Sequence, residues 1–174
     1  MTFREVDPVD DYLAPARPTL ARTLQIVSGA GLRYVDLGEG IVGVGAAVPF
    51  GPEAFSVVSV AAGGNEGTVN LTIGVLKDVR QDRLAVLDEC NSLTQDNAAY
   101  PYYLHDAEIG WDVLLQVRLP ITVVNAVPAY FLALLQQLPG YSDKGREKIS
   151  AVVGGKPYQW NQEDCQRLLL RSLM

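Results

Sequence analysis

The only histidine in this 174-residue chain, His105, stands beside Asp106 with Glu108 and Asp112 close behind, residue types from which a metal site or an acid–base pair is built. Zinc takes three or four ligands, and a nucleophilic triad needs an oriented base next to a Ser or Cys. Neighbouring residues complete neither set, so a solvated hairpin tip is the expected setting of His105. The pairs Gly38-x-Gly40 and Gly43-x-Gly45 invite a phosphate-loop reading. Neither continues as Gly-x-Gly-x-x-Gly or opens a helix whose N-terminus would receive phosphate, which leaves turns and a bulge. Asn70-Leu71-Thr72 fits a glycosylation acceptor but falls inside an expected strand, a chance match. Cys90 and Cys165 lie far apart, each in an apolar helical pattern, which predicts buried reduced thiols and no disulfide. No catalytic residue, metal site or cofactor is assigned.

The elements that would position any such residue follow from periodicity. Residues 1–17 carry three aspartates and two prolines and read as an acidic arm. Leu20, Leu24 and Val27 fall at i, i+4 and i+7, predicting a helix over 18–29. Period-two spacing then gives a strand at 32–37, a bulged strand or packed loop at 41–49, and a hairpin of strands 55–62 and 68–76. In the second of these, Val69, Leu71, Ile73 and Val75 alternate with Thr68, Asn70, Thr72 and Gly74, as in a sheet covered on one side. Asp82 suits the N-cap of a helix reaching Thr94, with Leu84, Leu87 and Cys90 or Asn91 inward. Strands at 100–106 and 111–119 follow, the latter with Val113, Leu115, Val117 and Leu119 inward and Leu114, Gln116 and Arg118 outward. An apolar helix over 124–138 has Pro128 in its first turn and ends at Pro139-Gly140. Beyond it, a short helix near 143–152, a break at 154–157 and a last helix opened by Asn161 are expected. Strands in adjacent runs exclude a doubly wound parallel fold. They predict an α+β layer, an antiparallel sheet with helices packed mainly on one face, in the order α-β-β-β-α-β-β-α plus a C-terminal helical extension.

The spacing Leu87-x-x-x-Asn91-x-Leu93, followed by a Tyr-rich strand and set in that element order, resembles the YbjN-like proteins and the related class I type III secretion chaperones. The likeness spans about 18–138, with 139–174 as an extension of the same domain. It implies a secretion-chaperone-like fold and a homodimer that binds extended segments of other proteins and performs no chemistry.

A hydrophobic content of 48% and a charged content of 20% describe a globular chain, and a net charge of −6 opposes binding to nucleic acid. No basic start precedes an apolar core, and the uncharged window 40–52 is too short and glycine-rich to span a bilayer, so a cytoplasmic protein without membrane contact is expected. Between two leucines of a helix, Asn91 is expected to be a structural amide that caps or bonds a neighbouring loop. Tyr100, Tyr102, Tyr103, Trp111, Leu114, Gln116 and Arg118 form the candidate protein-binding surface, because aromatic residues concentrate binding energy. The leading expectation is thus a non-enzymatic, chaperone-like or regulatory module that dimerises and binds a protein partner. Two alternatives are a small hydrolase or ligand-binding enzyme using His105 with nearby carboxylates, and a subunit of a larger complex docking through a C-terminal stripe of Cys165, Leu168, Leu169 and Leu173.

Overall fold

The computed structural model describes residues 17–38, 41–45, 56–61, 67–80, 82–107, 110–158, 163, 164 and 167. In chain order the elements are α1 (Arg17–Gly29), β1 (Arg33–Gly38), β2 (Ile41–Gly45), β3 (Ser56–Ala61), β4 (Thr68–Val79), α2 (Arg83–Asp96), β5 (Tyr102–Asp106), β6 (Trp111–Pro120), α3 (Ile121–Ala126), α4 (Pro128–Val153) and β7 (Lys156–Pro157). The strands form one antiparallel sheet in the order β1-β2-β3-β4-β6-β5, with β7 lying beside the far end of β4. The α+β class is as expected, and 41–45 is strand. The acidic arm before residue 17 and the stripe of Cys165, Leu168, Leu169 and Leu173 lie outside the described residues.

The β4–β6 pair is the spine of the sheet, aligned from Thr68↔Pro120 to Val79↔Trp111. One of its faces carries Val69, Leu71 and Ile73 opposite Leu119, Val117 and Leu115, all buried in a single core with α2 and α4. From α2 this core takes Val86, Cys90 and Leu93, at i, i+4 and i+7. The inward stripe is therefore not the one expected from Leu84 and Leu87: Leu84 is 68% exposed in the first turn. Asp82 does cap this helix, its carboxylate accepting from the Leu84 N–H at 3.1 Å.

Two further expectations are corrected. Pro128 begins α4 as anticipated, but the helix does not end at Pro139-Gly140; it runs to Val153 and absorbs the separate helix expected near 143–152. Its buried rhythm of Phe131, Leu135, Leu138, Ser142, Ile149 and Val153 continues across the proline. Burying Leu138, Ile149 and Val153 contributes about 1.5–3 kcal/mol each, more than the roughly 3 kcal/mol cost of an interior proline. Residues 121–126 are a separate helix because Val127, directly before a proline, is pushed out of helical geometry to φ −136° and ψ 69°.

The second correction concerns the other face of the spine, expected to be polar and open. Asn70, Thr72, Leu114 and Gln116 on that face are all buried. Beyond Gly154 the chain turns back, pairs β7 with Leu76 and Lys77, and lays Tyr158 against Gly74, where an added Cβ would run into the ring. Along β4 and β6 helices cover one face, and on the other, among the described residues of this C-terminal strap, the Tyr158 ring covers Gly74 and Arg167 covers Asp112.

Candidate functional site

The candidate surface splits once the chain is folded. Tyr102 and Tyr103 point to opposite faces of β5, as strand alternation requires. Tyr102 is buried against α4: its hydroxyl donates to the Tyr141 carbonyl at 2.5 Å, and its ring fills the space where Gly145 lacks a side chain. Tyr100, just before the strand, stacks on Tyr141 with centroids 4.0 Å apart and rings 19° from parallel, and its hydroxyl donates to Gln137 Oε1 at 2.6 Å. Burial, with Tyr141 and Tyr130 adding smaller effects, pushes the Tyr100 phenol up to about 12. Burial likewise raises the Tyr102 phenol. These two tyrosines are internal anchors, not surface. Tyr103 remains 42% exposed.

The rest of the surface divides in the same way. Leu114 and Gln116 are buried on the strap side, where the Gln116 amide donates to Thr72 Oγ1 at 3.1 Å. Arg118 is exposed, and its Nε donates to Gln116 Oε1 at 3.3 Å. Trp111 is half-buried with the Arg83 guanidinium 5.1 Å above its ring. What stays accessible is the Tyr103 side of β5 with Arg118 and part of Trp111.

Among the described residues β5 is the last strand in the sheet and pairs only with β6. The N–H of Tyr102 points away from β6 and donates to Thr94 Oγ1 at 3.1 Å, while the Thr94 hydroxyl donates to the Cys90 carbonyl at 2.8 Å. A single hydroxyl thereby closes the start of the strand edge. By the same alternation the N–H and C=O groups of Leu104 and Asp106 also face away from β6, an edge of the kind that accepts another extended chain.

Asn91, expected to be a structural amide, is exposed in mid-helix, so it carries no burial cost to offset. The residue that does this work is Asn97. Its backbone N–H donates to the carbonyls of Leu93 and Thr94 and closes α2. Its Oδ1 accepts from the Ala99 N–H at 3.3 Å, and its Nδ2 donates to the Tyr141 hydroxyl at 2.6 Å. The signal in the sequence was an Asn followed by two small residues at a helix end, the setting of an Asx turn.

His105 stands opposite Asp112 in the β5–β6 ladder, while Glu108 lies outside the described residues. Among the described residues no group of three or more His, Cys, Asp or Glu side chains is arranged to hold a metal ion. Cys90 is free and buried, and burial, with a smaller contribution from Glu89, pushes its thiol up to about 12. Asn70 is buried at the centre of the sheet, out of reach of glycosylation in the folded chain. No helix among the described residues is long and apolar enough to cross a membrane.

The densest polar cluster joins the sheet to the strap, and sequence reading missed it. Asp112 is fully buried and accepts from Arg167 through both oxygens, Nε at 2.7 Å and Nη2 at 2.5 Å. The same guanidinium reaches Asp78 Oδ1 at 3.0 Å. Asp78 sits with φ at +56°, in an irregular stretch of β4 between Leu76 and Val79, which aims its carboxylate across the strand end. Lys77 pairs at 2.5 Å with Asp164, itself fully buried. The hydrogen bond to Asp112 is the largest influence on Arg167 and raises its pKa against the opposing effect of burial. The partners are 55 to 89 residues apart in sequence, so no local spacing announces them. Comparison with known proteins finds no matching family model and no matching curated sequence.

Proposed function

We propose that this chain is a non-enzymatic protein-binding module, of the secretion-chaperone-like α+β kind, that works as a homodimer and takes an extended segment of a protein partner along β5. The observation that supports the reading best is the open edge of that strand. Leu104 and Asp106 direct backbone donors and acceptors outward, and an extended chain adds to such an edge by main-chain hydrogen bonds. Tyr103 stands exposed beside this edge and supplies an aromatic contact. The net charge of −6 favours a partner segment that is neutral or basic.

Selection from a displayed peptide library tests this directly. Bound peptides are expected to be extended, to protect the Leu104 and Asp106 amides from hydrogen exchange, and to be lost on Leu104→Pro, which deletes one outward N–H. If protection falls elsewhere or no peptide is selected, the reading fails. Light scattering checks the homodimer, and a strictly monomeric protein at micromolar concentration would count against it.

A further inference from the structure

We infer that the outer side of α2 overhangs the open edge of β5 and forms with it a groove for an extended peptide, in which Leu84 and Leu87 take an apolar side chain and Asn91 takes a polar one two residues away. The inference rests on the β5 reading above and names what the bound segment must carry.

The groove begins with a spacing. Leu84, Leu87, Asn91 and Thr94 fall at i, i+3, i+7 and i+10 of α2, which makes them one stripe along the helix. At about 3.6 residues per turn this stripe is set roughly a third of a turn round from the buried one of Val86, Cys90 and Leu93. Leu84 is 68% exposed, Leu87 is half-buried and Asn91 is exposed. Two leucines and an amide in register thus stay outside the core, where an ordinary solvent face would carry charge.

Two contacts fix where the stripe lies. At one end Thr94, itself on the stripe, accepts the outward N–H of Tyr102 at 3.1 Å. At the other the Arg83 guanidinium stands 5.1 Å from the centre of the Trp111 ring, and Trp111 is the ladder partner of Asp106. The helix therefore runs antiparallel to β5 along its whole length. The rise from Arg83 to Thr94 is about 16 Å and the span from Tyr102 to Asp106 about 14 Å, so the two elements match. Because Thr94 is bonded on the side of β5 away from β6, its stripe flanks the strand's outer edge.

The occupant follows from the strand. The outward N–H and C=O groups of Leu104 and Asp106 require a main chain in extended form, which a helix or a lone side chain does not supply. A chain paired there puts the residue opposite Leu104 on the helix side and its neighbours on the Tyr103 side. Its helix-side residues recur about 7 Å apart, and the one turn from Leu87 to Asn91 spans about 6 Å. One such side chain meets the two leucines and the next meets Asn91. An apolar side chain removes the leucines from water without stranding a polar group, and Ser, Thr, Asn or Gln pairs with the amide.

Randomised octapeptides displayed on phage, selected in parallel against the full chain, Leu84→Gln and Asn91→Leu, test this. Both substitutions place good helix formers at exposed positions, so the fold is retained. The parent chain is expected to enrich an apolar residue two positions from Ser, Thr, Asn or Gln. Leu84→Gln is expected to weaken a synthetic copy of the enriched peptide about tenfold, with the Leu104 and Asp106 amides still protected from exchange in the bound state. Asn91→Leu is expected to turn the polar preference into an apolar one, a switch that lost stability does not produce. Peptides that protect those two amides but carry no such pair, or that bind both variants as they bind the parent, overturn the groove and leave the β5 reading standing. If no peptide is selected, both fall. If the two amides are protected without peptide, increasingly so with protein concentration, a second copy fills the edge and the groove inference is overturned.

Discussion

The two faces of the β4–β6 spine are closed by different chemistry. On the helix side, Val69, Leu71, Ile73, Leu115, Phe131 and Leu135 interlock in a continuous apolar core. On the strap side, the described groups that pack against the sheet are one aromatic ring and two sets of ion pairs. Apolar burial scales with the area removed from water and needs no specific partner. A paired buried charge depends on its partner, because removing one member leaves the other desolvated and uncompensated. Damage to the first face is therefore graded by the apolar area lost, and damage to the second by which charge is left without its partner.

The sharpest way to break this contrast is to damage each face in turn. Phe131→Ala, a fully buried ring on the helix side, is expected to cost about 3–5 kcal/mol in denaturant unfolding, with global loss of cooperativity. Arg167→Met leaves Asp112 buried and unpaired and is expected to cost about 3 kcal/mol, largely recovered in the double variant with Asp112→Leu. Hydrogen exchange should show this loss concentrated on the strap and β6; an effect spread evenly over both faces would erase the distinction. Gly74→Ala drives a methyl into the Tyr158 ring and is expected to cost about 1–3 kcal/mol, a penalty that mostly vanishes when Tyr158 is also changed to Ala. Thr94→Val removes the hydroxyl that closes the start of β5, with an expected loss of about 1 kcal/mol and faster exchange at the Tyr102 amide.

A pH series separates the faces differently. The Cys90 thiol is held at about 12 against an ordinary 9.0, and the Tyr100 phenol at about 12 against 10.0, both groups on the helix side. For an acid whose folded pKa is raised, the unfolded chain releases its proton first. Above the ordinary value the unfolded state binds fewer protons than the native state, and stability falls as pH rises. Denaturant midpoints are expected to be unaffected by these two groups below pH 9.0 and to be lowered by them between there and about 12. Native Cys90 should resist thiol reagents until the chain unfolds; rapid labelling of the folded protein would show that the core on that side opens readily.

Most of the elements were legible because each rests on local spacing. Alternation placed β4 and β6, and Asp82 marked the start of α2. The failures have a common cause. Pro139-Gly140 is a strong local stop, yet tertiary packing on both sides of it outweighs the cost. Asn91 sits among apolar residues in sequence but on the outer side of the helix, because the stripe that packs is Val86, Cys90 and Leu93. Leu114 and Gln116 were assigned to the correct face, but alternation says only which residues share a face, not what covers it.

By itself, then, the sequence determined which residues alternate, where helices begin and that the fold is an antiparallel α+β layer, since these depend on interactions a few residues apart. Only the tertiary structure decided that the second face is closed, that Asp112 has Arg167 for a partner and that β5 is the edge strand. The first two depend on groups brought together from positions 55 or more residues apart, and the third on the order of strands in the whole sheet, where local spacing carries no signal.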